Sequence, residues 1–280
     1  LKAPSLSELS VVRPDERLAS ALKHAALNAE LSQALLGLMR QKAIQLQFFP
    51  VSSDGVCIVD ATCNPTGAYK VRGALASAYE AKKQGLTTLV TASAGNHGAG
   101  LAYAAQQMGL KAVIYVPKSA PLVKVDMIRS FEADVRLVGN SFDQCLLRAR
   151  QDPMLQIGSA RFVHPFDESA VVAGQGTIGY ELLARLRQEV ARRDVDKLRV
   201  VLPIGGGGLA AGVLSVLKSQ WPHDFPKLEV VGVVDESSPA ALIAMLRGRL
   251  VRALTDTIAD GIRVEMVGQH FLDVAHLLDG

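Results

Sequence analysis

Short apolar runs alternate with helical segments along most of this 280-residue chain. From Leu86–Thr91 to Leu228–Val234, continuous apolar stretches are separated by segments with helical periodicity. Strands that are apolar along their whole length and joined by helices are typical of a parallel sheet covered on both faces. The pattern therefore predicts an α/β fold, preceded by a helix from Pro14 to about Gln47 and a turn at Ser52–Gly55.

Composition excludes several classes of protein. Charged residues make up 20% of the chain with a net charge of +3, and no basic tract is interleaved with aromatics, so we expect no nucleic-acid partner. No run approaches the roughly 18 apolar residues of a membrane span, and Leu1–Ser10 lacks the pattern of a secretory signal. Cys57, Cys63 and Cys145 show no metal-ligand spacing, which favours reduced thiols and a cytoplasmic location. The chain begins with leucine rather than methionine, which leaves room for residues upstream.

A glycine-rich turn in Val200–Gly212 is the strongest candidate for an anion site. An apolar run passes directly into a helix through four consecutive glycines: Gly205, Gly206, Gly207 and Gly208. Such a run is entropically costly, and backbone N–H groups that hold a phosphate at a helix N-terminus would explain it. A close strand–helix crossing is one alternative. A dinucleotide-binding loop is another, since Ala211 completes an approximate G-x-G-x-x-A pattern and Asp235 or Glu236 ends the next strand.

A second candidate segment, Asn64–Gly73, places Lys70 at the start of a predicted helix. The positive end of the helix dipole favours the neutral amine, which is the form that makes an imine with a carbonyl compound. An isolated lysine is more often an ordinary surface residue. Lys70 becomes a candidate because it occurs together with two glycine-containing turns.

The third candidate segment, Thr91–Gly98, places a hydroxyl, an amide and an imidazole around a glycine at a helix start. These donors could hold a substrate carboxylate. The structural alternatives are that Ser93 is a plain N-cap and that His97 is satisfied by nearby backbone groups.

Together, the three segments resemble the fold-type II enzymes that depend on pyridoxal 5′-phosphate (PLP). NPTGAYKVRGA resembles their lysine segment, SAGNHGAGLAYAA their asparagine loop and PIGGGGLAAG their phosphate loop. HPFDESAVVAGQGTIGYEL (164–182) and TIADGIRV (257–264) extend the resemblance, whose nearest branch is the threonine/serine dehydratases, or ammonia-lyases. It implies a two-lobed, tryptophan synthase β-like architecture of parallel-rich sheets covered by helices. The large lobe would comprise 1–86 and 164–280 and the small lobe 87–163, in a homodimer or larger homo-oligomer.

The resemblance also implies residue roles. Lys70 would form the Schiff base with PLP and later move the α-proton of the substrate. Further contacts to the cofactor are expected from Tyr69, Asn96, Gly205, Gly206, Gly207, Gly208, Leu209 and Gly261. Substrate contacts are expected from Ser93, Ala94, Gly95, Asn96 and His97.

The implied reaction is β-elimination from a hydroxy amino acid such as L-threonine or L-serine, giving a 2-oxo acid and ammonia. Ala94 stands where the serine racemases of the family tend to carry a second serine, and a methyl group cannot transfer a proton. Elimination is therefore expected rather than racemisation. A catalytically degenerate homologue that binds PLP or an amino acid for regulation is the main alternative, and a nicotinamide-dependent oxidoreductase is less favoured.

Four features depart from the family pattern. In the strand before the lysine segment, Val59-Asp60-Ala61 replaces the charged K-x-E that the family often carries. Ala68 replaces the usual serine of the lysine segment, and Val234 stands where metal-binding members carry glutamate, so we expect no metal. Before Gly280 we find no hydroxyl or thiol to meet the pyridine nitrogen of PLP. Either a further C-terminal segment supplies it or the protein is degenerate, and a truncated core would expose apolar surface and need a partner.

Overall fold

The computed structural model describes residues 14–51, 55–192 and 194–280. The helices are α1 (Pro14–Gln41), α2 (Val71–Lys83), α3 (Asn96–Met108), α4 (Leu122–Arg129), α5 (Phe142–Arg150), α6 (Pro153–Gln156), α7 (Ser169–Arg192), α8 (Gly208–Gln220), α9 (Ala240–Arg247) and α10 (Gln269–Val274). The strands are β1 (Gln47–Pro50), β2 (Cys57–Asp60), β3 (Thr88–Ala92), β4 (Lys111–Val116), β5 (Asp134–Leu137), β6 (Ala160–Phe162), β7 (Lys197–Pro203) and β8 (Lys227–Val233). Short 3₁₀ turns cover Asp260–Ile262 and Ala275–Leu277. Of the turn predicted at Ser52–Gly55, Ser52–Asp54 lies outside the described residues.

A four-stranded parallel sheet, in the order β5-β4-β3-β6, forms one half of the architecture. Successive side chains of a strand point to opposite faces, and both faces of this sheet are covered. Leu89 and Ile114 pack into the core beneath α2 and α3, whereas Val90 and Val113 pack against α5. This double burial explains why the strand sequences are apolar without alternation, and it confirms the predicted α/β class.

A second core forms where α7, α8 and α1 pack against the parallel pair β7–β8. The backbones of α7 and α8 touch, because a β-carbon on Gly212 would lie 2.5 Å from the backbone nitrogen of Gly176. The sequence predicts a long helix over Val171–Arg193, and α7 has these bounds to within two residues. The helix begins at Ser169, and Gly174 and Gly176 lie inside it, where they allow close helix crossings.

The first helix is shorter than its apolar spacing predicts. It ends at Gln41 rather than near Gln47, and the chain reverses at Ala43, which has a φ of 54°. Ile44 and Leu46 are still buried, but in a segment without regular secondary structure that leads into β1. Strand β1 was not predicted, and it pairs antiparallel with β2.

Some sheet surface is open. Phe49 and Ile58 of the β1–β2 pair, and Val201 and Val233 of the β7–β8 pair, are about half exposed. Within the described part of the chain, no helix combines the length and apolarity needed to cross a bilayer. The division into lobes stays a prediction, although the four-stranded sheet lies within residues 87–163 and the other two sheets lie outside them.

Candidate active site

A cavity of about 180 Å³ lies where the start of α2 meets the start of α8. Four separate parts of the chain contribute to it, and they include most of the residues predicted to contact the cofactor. Those residues are Tyr69, Lys70, Gly205, Gly206, Gly207, Gly208, Leu209 and Gly261. The walls are completed by residues without a predicted role: Phe166, Pro203, Ile262 and Val264.

Lys70 is the residue immediately before α2. Its Nζ donates a hydrogen bond to the carbonyl oxygen of Pro165 at 3.0 Å and lies 5.5 Å from the ring centroid of Tyr69 and 6.0 Å from that of Phe166. Helix α3 closes in from behind, since a β-carbon on Gly100 would lie 3.3 Å from the carbonyl carbon of Lys70. The amine is therefore held at the cavity wall between two aromatic rings.

The glycine turn connects the end of β7 to the first residue of α8. Gly207 has a φ of 88°, a left-handed conformation that L-residues with a side chain rarely adopt. A β-carbon on Gly206 would lie 2.4 Å from ring carbons of Phe166, and one on Gly207 would lie 2.3 Å from Cβ of Phe271. Close packing against Phe166 and Phe271 thus requires glycine here, rather than the strand–helix crossing that one alternative proposed. The same turn leads into the 13-residue α8. The first N–H groups of a helix have no acceptor within the helix, so those of α8 can donate hydrogen bonds to an anion.

The predicted substrate loop adjoins this region, but its side chains do not line the cavity. Gly95 precedes α3, and the Ser93 hydroxyl accepts a hydrogen bond from the Gly95 N–H at 3.2 Å, so Ser93 is not the N-cap. Asn96 opens α3 and is exposed. Among the cavity-lining residues of the described chain, none comes from the loop Ser93, Ala94, Gly95, Asn96 and His97. Its role in binding substrate stays a prediction.

His97 is buried beneath this loop. Its Nε2 lies 3.1 Å from the Thr91 hydroxyl and 3.3 Å from the carbonyl oxygen of Val163. Burial, followed by the nearby charge of Lys70, lowers the pKa of His97 to about 3. The imidazole is therefore neutral at physiological pH. Neighbouring groups satisfy Nε2, as the structural alternative expects, but the buried Nδ1 has no hydrogen-bond partner among the described residues.

The turn from His164 to Asp167 has no role implied by the family resemblance. His164 Nδ1 accepts hydrogen bonds from the N–H groups of Phe166 (3.4 Å) and Asp167 (3.0 Å), which fixes the turn. Burial lowers the pKa of His164 to about 4, so it stays a neutral acceptor. In the sequence, the feature that could have indicated this turn is the segment H-P-F-D. In the structure the turn places Pro165 against Lys70 and Phe166 against the glycine turn.

The family model described as "Pyridoxal-phosphate dependent enzyme" matches residues 43–279. The chain belongs to this family. The membership confirms the predicted cofactor and decides against a dinucleotide at the glycine turn. Asp235, the residue that a dinucleotide ribose would require, instead accepts hydrogen bonds from Ser237 and Thr257.

Comparisons with individual proteins agree with the family match. The chain is 38% identical to an L-threonine ammonia-lyase of Geobacter sulfurreducens and 40% identical to one of Thermotoga maritima, in each case over 72% of this chain and 48% of the relative. It thus spans about half the length of these curated relatives. The processed form of threonine deaminase isoform 2 from Solanum lycopersicum superposes with a TM-score of 0.76 at 28% identity, covering all of this chain and 74% of that one.

The residues of the cavity fit PLP. The Lys70 amine can condense with an aldehyde, and the glycine turn offers N–H donors for a phosphate in a place where side chains would collide with Phe166 and Phe271. Tyr69 and Phe166 supply aromatic walls for a planar ring. Lysine, phosphate donors and flat walls are the three elements that such a cofactor requires.

Proposed function

We propose that this chain is a PLP-dependent ammonia-lyase. It removes water from a hydroxy amino acid such as L-threonine or L-serine and yields a 2-oxo acid and ammonia. The observation that carries the proposal is that Lys70 and Gly205–Gly208 line one cavity, although the first of these glycines lies 135 positions after Lys70 in the sequence. The similarity to threonine ammonia-lyases supports the same reaction class.

Lys70 is the residue proposed to move the α-proton. When bound, PLP supplies an electron sink that stabilises the negative charge developing at the α-carbon. The titratable side chains that line the cavity are Lys70 and Tyr69, and Lys70 is the one whose ordinary chemistry includes accepting a proton from carbon when neutral. The hydrogen bond to Pro165 fixes the direction from which the amine approaches.

A single base favours elimination over racemisation. Racemisation needs an acid on the face opposite the lysine, and Ala94 offers only a methyl group in the loop proposed to face the substrate. Loss of the α-proton and the β-hydroxyl removes one water molecule. Hydrolysis of the resulting enamine returns that water and releases ammonia and the 2-oxo acid.

The loop 93–97 is proposed to bind the substrate carboxylate. Support comes from its position, because α3, which it opens, packs against the backbone of Lys70. Since His97 is neutral, it would contribute a hydrogen bond rather than a charge. The remaining donors are the N–H groups at the start of α3 together with the side chains of Ser93 and Asn96.

A homodimer or larger homo-oligomer in the cytoplasm is part of the same proposal. The half-exposed apolar residues of the β1–β2 and β7–β8 pairs support association, since such surface is usually covered. Light scattering of the purified protein measures the oligomeric state, and a monomer at micromolar concentration would contradict this part.

The activity is tested with the purified holoprotein and a panel of L-threonine, L-serine and D-serine, with 2-oxo acid formation as the readout. Turnover of an L-hydroxy amino acid, abolished by Lys70→Ala, is the expected result. Cofactor binding without 2-oxo acid from any substrate would instead identify a degenerate, regulatory homologue. Interconversion of L- and D-serine at a rate matching elimination would contradict the single-base argument.

A further inference from the structure

A serine, a histidine and an aspartate form a chain of hydrogen bonds away from the cofactor cavity. The Oγ of Ser169 lies 3.0 Å from Nε2 of His270, and Nδ1 of His270 lies 2.8 Å from Oδ1 of Asp167. The serine and aspartate belong to the turn that opens α7, whereas the histidine comes from α10, about 100 residues later. This order of contacts is the one that activates a serine hydroxyl as a nucleophile.

The aspartate is held firmly in place. Its N–H donates to His164 Nδ1, and its Oδ1 also accepts the backbone N–H of His270 at 3.0 Å. A β-carbon on Gly268 would lie 2.6 Å from this oxygen, so the approach of α10 depends on glycine there. The carboxylate thereby orients the imidazole through both the ring and the backbone of His270.

The charge state of each group suits the arrangement. Although burial opposes its ionisation, the hydrogen bonds from His270 hold the pKa of Asp167 well below its usual range. The hydrogen bond to Asp167 in turn raises the pKa of His270 above its ordinary value. An ionised carboxylate requires Nδ1 to donate, so neutral His270 presents an unprotonated Nε2 that can accept the proton of Ser169.

The histidine and the serine open onto a cavity of about 200 Å³. This cavity shares no lining residue with the one at Lys70. Leu27 and Leu31 of α1 form its apolar wall, and Asp273 contributes a negative charge that disfavours anions. Its volume is below the roughly 300 Å³ at which sites for drug-sized ligands begin. A neutral molecule with a short acyl chain fits these constraints.

We propose that Ser169, His270 and Asp167 form a second, hydrolytic site that cleaves neutral esters of short acyl chains. Ser169 Oγ bonds to the acyl carbon while His270 Nε2 takes its proton and passes it to the departing alkoxide, which leaves as the alcohol. Water then bonds to the acyl carbon and gives a proton to His270. The bond from Ser169 to the acyl carbon breaks, the proton returns to Ser169, and the carboxylic acid departs.

Two features suit Ser169 to react with an ester. Ser169 is the first residue of a 24-residue helix, and the positive end of its dipole stabilises an oxyanion formed there. Ser169 is also exposed, so an ester can reach the hydroxyl. The proposal is independent of ammonia-lyase activity, because no residue of the Lys70 cavity takes part.

The test uses the holoprotein with p-nitrophenyl acetate and p-nitrophenyl butyrate, and a fluorophosphonate probe with peptide mapping. We expect p-nitrophenol release to fall roughly 100-fold in Ser169→Ala and His270→Gln. The matched control is Ser130→Ala, which removes an exposed hydroxyl that donates to the carbonyl of Met127 and should leave the rate unchanged. Circular dichroism verifies that each variant is folded.

The probe tests the wild-type protein directly, without relying on a variant that folds. We expect the phosphonyl group on Ser169 and a large loss of labelling in His270→Gln. Ester hydrolysis that Ser169→Ala leaves unchanged would overturn the proposal. So would the absence of label from Ser169 in the folded wild-type protein.

Discussion

The Nζ of Lys70 donates a hydrogen bond to the carbonyl oxygen of Pro165 at 3.0 Å. This contact joins the start of α2 to the turn between β6 and α7, 95 residues further along the chain. Phe166, the next residue, packs its ring against Gly206. One short turn therefore positions both the amine and the glycine loop, which is why the two meet in one cavity.

Gly207→Ala should be more destabilising than a matched substitution at Gly85. Both glycines have positive φ, of 88° and 75°, so alanine costs about 1–2 kcal/mol of backbone strain at either position. A β-carbon on Gly207 also collides with Phe271, whereas one on Gly85 meets nothing within 4 Å. Overpacking should add roughly 1–3 kcal/mol at Gly207.

Urea unfolding of the two variants and PLP titration measure this difference. Gly207→Ala should also weaken PLP binding, because the loop that offers the phosphate donors is displaced, and Gly85→Ala should not. Equal losses of stability, or unchanged PLP affinity in Gly207→Ala, would show that the glycine turn does not have the assigned role.

A buried ion pair offers a second prediction. Arg72, fully buried, donates through Nη1 to Glu181 at 2.6 Å and to Thr177 at 3.0 Å. Glu181→Leu leaves the buried guanidinium without a counter-charge and should lower the free energy of unfolding by roughly 3–5 kcal/mol. Arg72→Met leaves a carboxylate that is 26% exposed and should cost less. The double variant should recover most of the loss.

Urea unfolding of the two single variants and the double variant gives the coupling energy directly. The exposed pair of Lys83 and Glu80 is the control, since Glu80→Leu should change stability by less than about 1 kcal/mol. Additive effects of the Arg72 and Glu181 substitutions would contradict the assignment of a coupled buried pair.

The neutral His97 predicts a loss of stability in mild acid. Burial, reinforced by the charge of Lys70, lowers its pKa to about 3, whereas an imidazole in the unfolded chain titrates at its ordinary value near ~6.5. Below that value the unfolded state binds a proton that the folded state does not, so stability falls as the pH falls from ~6.5 toward 3. At pH ~5.5 this difference in protonation lowers the free energy of unfolding by roughly 1.4 kcal/mol.

His164, with its pKa lowered to about 4 mainly by burial, acts in the same direction. Chemical unfolding at pH ~7.5 and ~5.5 measures the total, and His97→Gln should reduce the difference by roughly 1.4 kcal/mol. The exposed His223 provides the control, because His223→Gln should retain the wild-type pH dependence. An unchanged dependence in His97→Gln would mean that the folded protein protonates this residue.

Local sequence was sufficient to predict much of this fold. The sequence predicts a strand over Lys111–Val116 and a helix over Phe142–Arg150, which are the observed bounds of β4 and α5. The apolar period changes sharply at their ends, and Ser141 caps α5 through the N–H of Gln144. The resemblance to the PLP enzymes was confirmed by the family match. It depended on three segments whose order and spacing are more specific than any one of them.

Tertiary contacts explain what the sequence did not predict. The sequence predicts α7 itself, but not that Gly174 and Gly176 lie at its close crossings with α2 and α8. Nothing local in H-P-F-D indicated that Pro165 receives the lysine amine. The pairing of Ser169 with His270 depends on the docking of α10 and spans 101 residues, so no motif search could detect it.

The most direct test of the central claim is to titrate the purified protein with PLP, reduce it with borohydride and identify the modified lysine by peptide mapping. A Schiff base at Lys70 requires a visible absorption band that saturates at one PLP per chain, is lost in Lys70→Ala, and leaves the reduced pyridoxyl group on Lys70. A protein that stays colourless with added PLP, or a pyridoxyl group on another lysine such as Lys83, would contradict the account.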